Sequence, residues 1–188
     1  MNAENASVVL DAPAVESPPI KGWQRPLSWL SRAGQFLFTL SFSSLTRRIV
    51  SLNVAGLDAT HPMVRKACDW LKAIQNEDGG WGEDGTSYKL DYRGYEKAAS
   101  IPSQTAWALL GLMAVGYVDH PAVARGIEYL KSEQRDHGLW DETRFSATGF
   151  PRVFYLRYHG YRKFFPLWAL ARYRNLTRAG QKRVAFGL

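Results

Sequence analysis

Two stretches of the chain carry one pattern, HPMVRKACDWLKAIQNEDGGW at residues 61–81 and HPAVARGIEYLKSEQRDHGLW at residues 120–140. They align without a gap at an offset of 59 residues, from His61 to His120. The positions that keep their residue type include Gln75 with Gln134, Gly79 with Gly138, and Trp81 with Trp140. Self-similarity at a fixed period is typical of stacked, repeated supersecondary units, so these stretches decide the fold.

Each copy has the features of an amphipathic helix followed by a glycine turn. A proline, Pro62 or Pro121, suits the first helical turn, where its missing N–H leaves no hydrogen bond unmade. Apolar residues then recur at helical spacing over about three to four turns, which predicts one buried face. Gly79 and Gly138 end the pattern, because glycine accepts the positive φ that such turns require.

A glutamine and a tryptophan six residues later recur in both copies. A glutamine near a helix end can bond to unpaired backbone groups, and an indole can stack on that amide and donate its own N–H. We therefore predict that Gln75 with Trp81, and Gln134 with Trp140, form clips between helices. The acidic residues around the first turn are expected to be solvated or to accept the indole N–H: Glu77, Asp78, Glu83 and Asp84.

Between the copies lies an almost wholly apolar stretch, SIPSQTAWALLGLMAVG at residues 100–116. Ser100 or Ser103 can cap its start, Pro102 suits its first turn, and Gly116 can end it. A helix that is apolar nearly all round is buried among other helices. The alternation of outer and inner helices predicts an all-α fold, a partial α/α toroid of repeated antiparallel helix pairs.

These motifs resemble the C-terminal portion of squalene–hopene cyclases and related class II triterpene cyclases. The family's QW repeat runs Lys/Arg-Gly, aromatic-Leu and Gln-x3-Gly-x-Trp, and the second copy matches it from Arg125 to Trp140. The first copy departs at Ala67, where the family usually has glycine. SIPSQTAWAL is similar to the family's STPSQTAWAL, and TGFPRVFYLRYHGYRKFFPLWALARY, at residues 148–173, is similar to its C-terminal aromatic segment. The resemblance covers about residues 52–173.

The resemblance implies a C-terminal piece of such an enzyme. The family's proton-donating aspartate lies upstream in an Asp-x-Asp-Asp motif, which does not occur in these 188 residues. By resemblance the substrate is a squalene-like polyprenoid, cyclised through carbocations in hopanoid biosynthesis. We expect the chain to be inactive alone and to need a complementing cyclase N-terminal chain. The alternatives are a non-catalytic helical remnant and a membrane-surface interaction protein.

Four aromatic residues of the C-terminal segment are the candidate site: Phe150, Phe154, Tyr158 and Tyr161. Their spacing of four, four and three predicts one face of a helix. An aromatic core stripe would have the same spacing. The resemblance favours cavity lining, since in the family aromatic faces stabilise carbocations by cation–π attraction, worth about 0.5 to 2 kcal/mol per ring.

The sequence indicates no metal and no cofactor. It has one cysteine, Cys68, which is expected to be a small packing residue. The histidines have no zinc-ligand spacing, which argues against a prenyltransferase-like toroid, the lesser alternative, because that family needs Asp, Cys and His ligands. His61 and His120 stand before the helix-start prolines, so we expect them to be caps or surface residues.

The net charge of +7 is concentrated near the C-terminus. From residue 143 onward there are ten Lys or Arg and no Asp or Glu. A basic aromatic segment suits a nucleic acid or an anionic membrane surface. The resemblance favours the membrane, so we expect a peripheral or monotopic position at the cytoplasmic face of a bacterial membrane and no nucleic acid partner. The alternative is solubilising charge on an outer helix face.

The chain divides into four predicted segments. Residues 1–20 are rich in proline and poor in large apolar side chains, which predicts disorder. Residues 21–51 are an amphipathic or unrelated segment, whose apolar run falls short of the about 20 residues that span a bilayer. Residues 52–175 are, by resemblance, the C-terminal part of a terpene cyclase α/α barrel, and residues 176–188 are a basic tail.

Overall fold

The computed structural model describes residues 42–88, 95–146 and 156–184. Its helices, in chain order, are α1 (Phe42–Val54), α2 (Pro62–Ala73), a 3₁₀ turn (Gly85–Tyr88), α3 (Pro102–Ala114), α4 (Pro121–Ser132) and α5 (Tyr161–Arg178). Within these ranges, strand-like structure is limited to an isolated bridge between Glu83 and Lys97. The all-α prediction is therefore confirmed for the part of the chain described.

The two sequence repeats form matching helices. α2 and α4 are each 12 residues long and begin at their prolines. Gly79 and Gly138, in the turns that follow, have φ of +86° and +79°, values that favour glycine. The caps differ, because His120 Nδ1 accepts a hydrogen bond from Ala122 N at 3.1 Å, whereas His61 makes no capping bond. The expected capping role therefore holds for the second repeat.

The central helix is α3, all 13 residues of which are buried. It packs against α1, α4 and α5, while α2 packs against α1. Its apolar sequence explains this position, because a helix without a polar face has to be covered on every side. The prediction of a buried helix between the repeats is confirmed, although its N-cap is Ile101 rather than Ser100 or Ser103.

The turns that follow α2 and α4 meet at the start of α3. Trp81 O accepts from Ile101 N, and Trp81 N donates to Thr105 Oγ1, each at 3.0 Å. From the second repeat, Glu142 Oε1 accepts from Ser103 N at 2.5 Å. Both repeats therefore fix where the central helix begins.

The first helix lies across the predicted boundary between residues 51 and 52. Its Leu45 and Ile49 are buried in the core that includes α3, so the end of the predicted 21–51 segment packs with the repeats. The predicted disorder of residues 1–20 falls outside the described residues, as do residues 21–41. Cys68 on α2 is fully buried, and burial raises the pKa of its thiol to about 12, as suits a packing residue.

The predicted basic tail, residues 176–188, is described as far as residue 184. Its first three residues complete α5. Beyond the helix, Lys182 pairs with Asp119 and Arg183 with Asp58. Ion pairs as exposed as these contribute little to stability, so they position the tail against the loops before α4 and α2.

Candidate functional site

The glutamine of the first repeat bridges two helices. Gln75 Nε2 donates to Gly79 O in its own turn and to Ala122 O at the start of α4, both at 2.8 Å. Its Oε1 accepts from Arg125 Nη2 on the same helix. Gly79 lies so close to α4 that a Cβ there would be 2.6 Å from Arg125 O. We call these four residues the first clasp.

In the second repeat, the glutamine makes the hydrogen bond within its own turn but, among the residues described, not the one to a second helix. Gln134 Nε2 donates to Gly138 O at 2.7 Å. Both residues are exposed, and a Cβ on Gly138 would have no atom within 4 Å. Within the described ranges, no second helix bonds to Gln134. We call Gln134 and Gly138 the second clasp.

The two tryptophans are bonded in the same way. Trp81 Nε1 donates to Leu71 O at 2.8 Å, and Trp140 Nε1 donates to Leu130 O at 2.7 Å. Both side chains are fully buried. Each indole N–H therefore pairs with a carbonyl in the last turn of its helix, where such groups lack helical partners, and not with the glutamine amide. Stacking of the indole on that amide stays a prediction.

Two buried glutamates occupy equivalent positions two residues beyond the tryptophans. Glu83 and Glu142 are 8% and 7% exposed, so the expectation that Glu83 is solvated is wrong. Its segment lies against residues 97–98, and Glu83 N donates to Gln104 Oε1 at 2.7 Å. Glu142 was not among the predicted residues, although extending the repeat alignment by two residues pairs it with Glu83.

The Glu142 carboxyl lies at the start of α3. A helix N-terminus favours negative charge there, because its backbone N–H groups point outward. Burial nevertheless raises the pKa of Glu142, while the bond from Ser103 N and the guanidinium groups of Arg162 and Arg157 oppose the rise. Those guanidinium groups also hold the turn, since Arg157 Nη2 donates to Glu142 O at 2.7 Å and Arg162 Nη1 donates to Trp140 O at 2.9 Å.

Four aromatic side chains meet between α3 and the start of α5. Trp107 contacts Tyr161 and Phe165 edge-on, with ring centroids 5.4 and 5.2 Å apart, and Tyr161 contacts Phe165 at 5.0 Å. Tyr158 stacks on Tyr161 at 4.8 Å, with an interplanar angle of 14°. Stacked and edge-to-face pairs are the arrangements that aromatic rings prefer. We call these four residues the aromatic cluster.

The cluster is covered on its α3 side and open at Tyr158. Trp107 is 6% exposed, whereas Tyr158 is 41% exposed. Tyr161 and Phe165, between them, are half-buried. The open side presents ring surface to whatever lies against it, and ring faces attract cations.

Two of the four predicted site residues belong to this cluster, Tyr158 and Tyr161. Phe150 and Phe154 lie outside the described residues. The prediction of one helical face is wrong at Tyr158, because α5 begins at Tyr161 and residues 156–160 are not helical. Gly160 stands at the N-cap, and glycine is a poor helix former, so the helix does not extend back to Tyr158.

The other two members of the cluster, Trp107 and Phe165, were not among the predicted site residues. Phe165 follows Tyr161 by four residues on α5, a spacing that places both on one helix face. Trp107 is brought there by the packing of α3 against α5, a contact between distant segments that local spacing does not indicate.

Another face of α5 is apolar and exposed. Phe164, Leu167 and Trp168 are 68%, 58% and 39% exposed, and they lie three and four residues apart. The helix carries five Lys or Arg and no Asp or Glu. None of the helices described is both long and apolar enough to cross a bilayer.

The sequence profile of the squalene-hopene cyclase C-terminal domain matches residues 24–175. The chain belongs to that family. The match begins well before residue 52, where the motif resemblance starts, and it includes the whole of α1. The family predicted from the QW repeats is therefore confirmed, and its profile covers more of the chain than those motifs do.

Relatives in two bacteria agree with this assignment to the squalene-hopene cyclase family. The squalene–hopene cyclase of Bradyrhizobium diazoefficiens is 62% identical over 161 residues, which are 86% of this chain and 24% of that protein. The squalene–hopene cyclase of Zymomonas mobilis is 56% identical over 161 residues, with the same coverage. The chain thus spans about a quarter of the length of the relatives it matches.

Proposed function

We propose that the chain is the C-terminal part of a squalene–hopene-type cyclase and that the aromatic cluster forms part of its hydrocarbon cavity wall. The observation that carries this proposal is the contact of Trp107, Tyr161 and Phe165, with Tyr158 stacked on the open side. The family and the relatives' names supply the substrate class, a squalene-like polyprenoid.

The cluster's role follows from the chemistry of a growing carbocation. A ring face within about 6 Å of a cation contributes roughly 0.5 to 2 kcal/mol, and more where water is excluded. The rings also exclude water, which would otherwise quench the cation before the last ring closes. Phe150 and Phe154 are proposed as further members of this wall, on the family motif alone.

We propose further that the helices form a sector of an α/α toroid. α2 and α4, each with one buried face, are its outer helices, and α1, α3 and α5 are its inner row. α3 lies between α1 and α5, as an inner helix lies between its neighbours in such a barrel. Because the Asp-x-Asp-Asp motif does not occur here, we expect the chain alone not to start cyclisation, and to need a chain that supplies the acid.

The test is complementation in the squalene assay. The chain is co-expressed with the upstream part of the Bradyrhizobium cyclase, and the products from squalene are separated by gas chromatography. We expect hopene from the pair and none from either chain alone. In the active pair, Tyr161→Leu should shift the products towards incompletely cyclised hydrocarbons, whereas Tyr173→Leu, on α5 but outside the cluster, should not.

Two results would contradict this proposal. Hopene formed by this chain alone would show that the proton donor lies within it. An unchanged product mixture with Tyr161→Leu would remove the cluster from the cavity wall. A pair that binds but makes no product would favour the non-catalytic remnant.

A second candidate function is binding to an anionic membrane surface. The exposed Phe164, Leu167 and Trp168 lie on a helix with basic and no acidic residues, a combination typical of interfacial helices. It supports a peripheral position at a membrane surface, and the cytoplasmic face of a bacterial membrane is proposed on the resemblance alone. We expect the chain to sediment with phosphatidylglycerol vesicles and not with phosphatidylcholine vesicles. Leu167→Ser should weaken that binding, and equal binding to both vesicle types would contradict the proposal.

A further inference from the structure

Two arginines flank the tyrosines of the aromatic cluster. Arg157 directly precedes Tyr158, and Arg162 directly follows Tyr161. Between the tyrosines the chain closes a turn, in which Tyr161 N donates to Tyr158 O at 3.0 Å. The backbone of residues 157–162 therefore sets where the two rings lie, and the arginines stand at its two ends.

Both arginines donate to the turn that follows α4. Arg157 Nη2 donates to Glu142 O at 2.7 Å, and Arg162 Nη1 donates to Trp140 O at 2.9 Å. The acceptors are backbone carbonyls two residues apart, so both ends of the tyrosine segment are fixed to one short stretch of backbone. A hydrogen bond from a charged donor is roughly twice as strong as a neutral one, which makes these two bonds effective anchors.

The same turn also holds the other side of the cluster. Trp140 is fully buried, and Glu142 Oε1 accepts from Ser103 N at 2.5 Å, at the start of α3. Trp107 lies four residues after Ser103, about one helical turn further along α3. The turn at residues 140–142 is therefore bonded both to the helix that carries Trp107 and to the segment that carries the tyrosines.

The first repeat fills the equivalent carbonyl in another way. Trp81 O accepts from a backbone N–H, that of Ile101, whereas Trp140 O accepts from the side chain of Arg162. The two turns otherwise agree in their glycine φ angles and their indole bonds. Because the turn forms in the first repeat with a backbone donor at this place, its conformation does not depend on an arginine. The role of the arginines therefore lies in the segment that they hold.

We propose that Arg157 and Arg162 are positioning residues for the aromatic cluster and so determine how completely the substrate is cyclised. They hold Tyr158 and Tyr161 against Trp107. The inference rests on the proposed function, in which these rings form part of the cavity wall. A ring attracts a cation only within about 6 Å of its centroid, so a small displacement of the segment changes which products form. Each arginine acts through the ring beside it.

The first measurement needs no activity. The full chain is prepared with isotope-labelled tyrosine, and the NMR signals of the Tyr158 and Tyr161 rings are assigned with Tyr158→Phe and Tyr161→Phe. Arg162→Met keeps an unbranched stem and removes the donors, and Arg157→Met, at an exposed site, is the second variant. Stacked rings shift each other's signals, so we expect both signals to move towards those of unstacked tyrosine in either variant. Arg174→Met, an exposed site on α5, is the matched control and should leave them in place.

The second measurement is the ratio of incompletely cyclised products to hopene in the active pair of chains. Arg162→Met and Arg157→Met should each raise that ratio about two- to thirtyfold, the range that corresponds to losing one ring's attraction for a cation. Arg174→Met should leave it unchanged. Arg162→Lys keeps a charged donor for Trp140 O and should restore most of the hopene. Asp141→Asn should also leave the ratio unchanged, because the exposed ion pair of Asp141 with Arg162 contributes little.

A double variant separates positioning from a general loss of structure. If Arg162 acts through Tyr161, adding Arg162→Met to Tyr161→Leu should change the product ratio no further. A purely structural role would instead lower the yield of all products together and leave their ratio as it was.

Ring signals that stay in place in both arginine variants would overturn the inference. A product ratio that Tyr161→Leu changes and the arginine variants do not would overturn it too, and would leave the proposed function intact. A pair without hopene, or a ratio that Tyr161→Leu itself leaves unchanged, would contradict the proposed function. The ring signals would then decide by themselves whether the arginines position the tyrosines.

Discussion

In the first repeat the glutamine reaches a second helix, whereas in the second repeat the equivalent glutamine reaches only its own turn. The Gln75 side chain bonds to Gly79 and to Ala122, while within the described residues the Gln134 side chain bonds to Gly138 alone. The tryptophan bonds and the glycine φ angles are alike in both. Local sequence therefore determines the conformation of each turn, whereas the position of the neighbouring helix determines whether the glutamine also bonds to a second helix.

The largest expected effect tests the part that the repeats share. Trp81→Ala and Trp140→Ala should each lower the free energy of unfolding by about 3 to 5 kcal/mol, because each removes a fully buried large side chain. The measurement is urea unfolding followed by circular dichroism. Trp168→Ala, at a site 39% exposed, is the control and should cost below about 1 kcal/mol. If Trp140→Ala lowers the free energy of unfolding as little as the control does, the two turns are not energetically equivalent.

The glycines test where the repeats differ. Both have positive φ, so alanine at either costs about 1 kcal/mol from the left-handed backbone alone. At Gly79 the added Cβ also meets Arg125 O at 2.6 Å, which adds about 1 to 3 kcal/mol of overpacking, whereas the space around Gly138 is open. Urea unfolding should therefore show a larger loss for Gly79→Ala than for Gly138→Ala. Equal losses would mean that α4 does not lie against the first turn.

The smallest effect is a dependence on pH from the glutamate of the second repeat. Because burial raises the pKa of Glu142, the folded state favours the protonated carboxyl. That contribution is complete below the ordinary pKa of 4.5 and is lost as pH rises through the folded value. Glu142→Gln keeps an oxygen for Ser103 N and cannot ionise, so the unchanged chain should lose stability relative to it as pH rises from about 4.5.

The measurement is the difference between the unfolding free energies of the two proteins across that pH series. A difference that moves in the opposite direction would show that the bond from Ser103 N and the nearby guanidinium groups outweigh the burial. It would then place the ionised form of Glu142 in the folded state.

Features set by neighbouring residues could be predicted from the sequence, whereas contacts between residues far apart in the chain could not. The helix starts at Pro62 and Pro121, the glycine turns and the buried α3 follow from local pattern, and the structure has them. Contacts between distant segments have no local signal in the sequence. One example is the hydrogen bond from Ser103 N at the start of α3 to Glu142, which lies 39 residues further along the chain. Tyr158 shows the opposite failure, because regular spacing suggested a helix that begins only after Gly160.

The central claim is that the first clasp stabilises the neighbouring helix, whereas the second clasp bonds to no other helix within the described residues. A double-mutant cycle measures this most directly, with Gln75→Ala, Arg125→Ala and the double variant compared by urea unfolding. We expect a coupling of about 1 kcal/mol or more between Gln75 and Arg125. Additive effects of the two substitutions would contradict the claim.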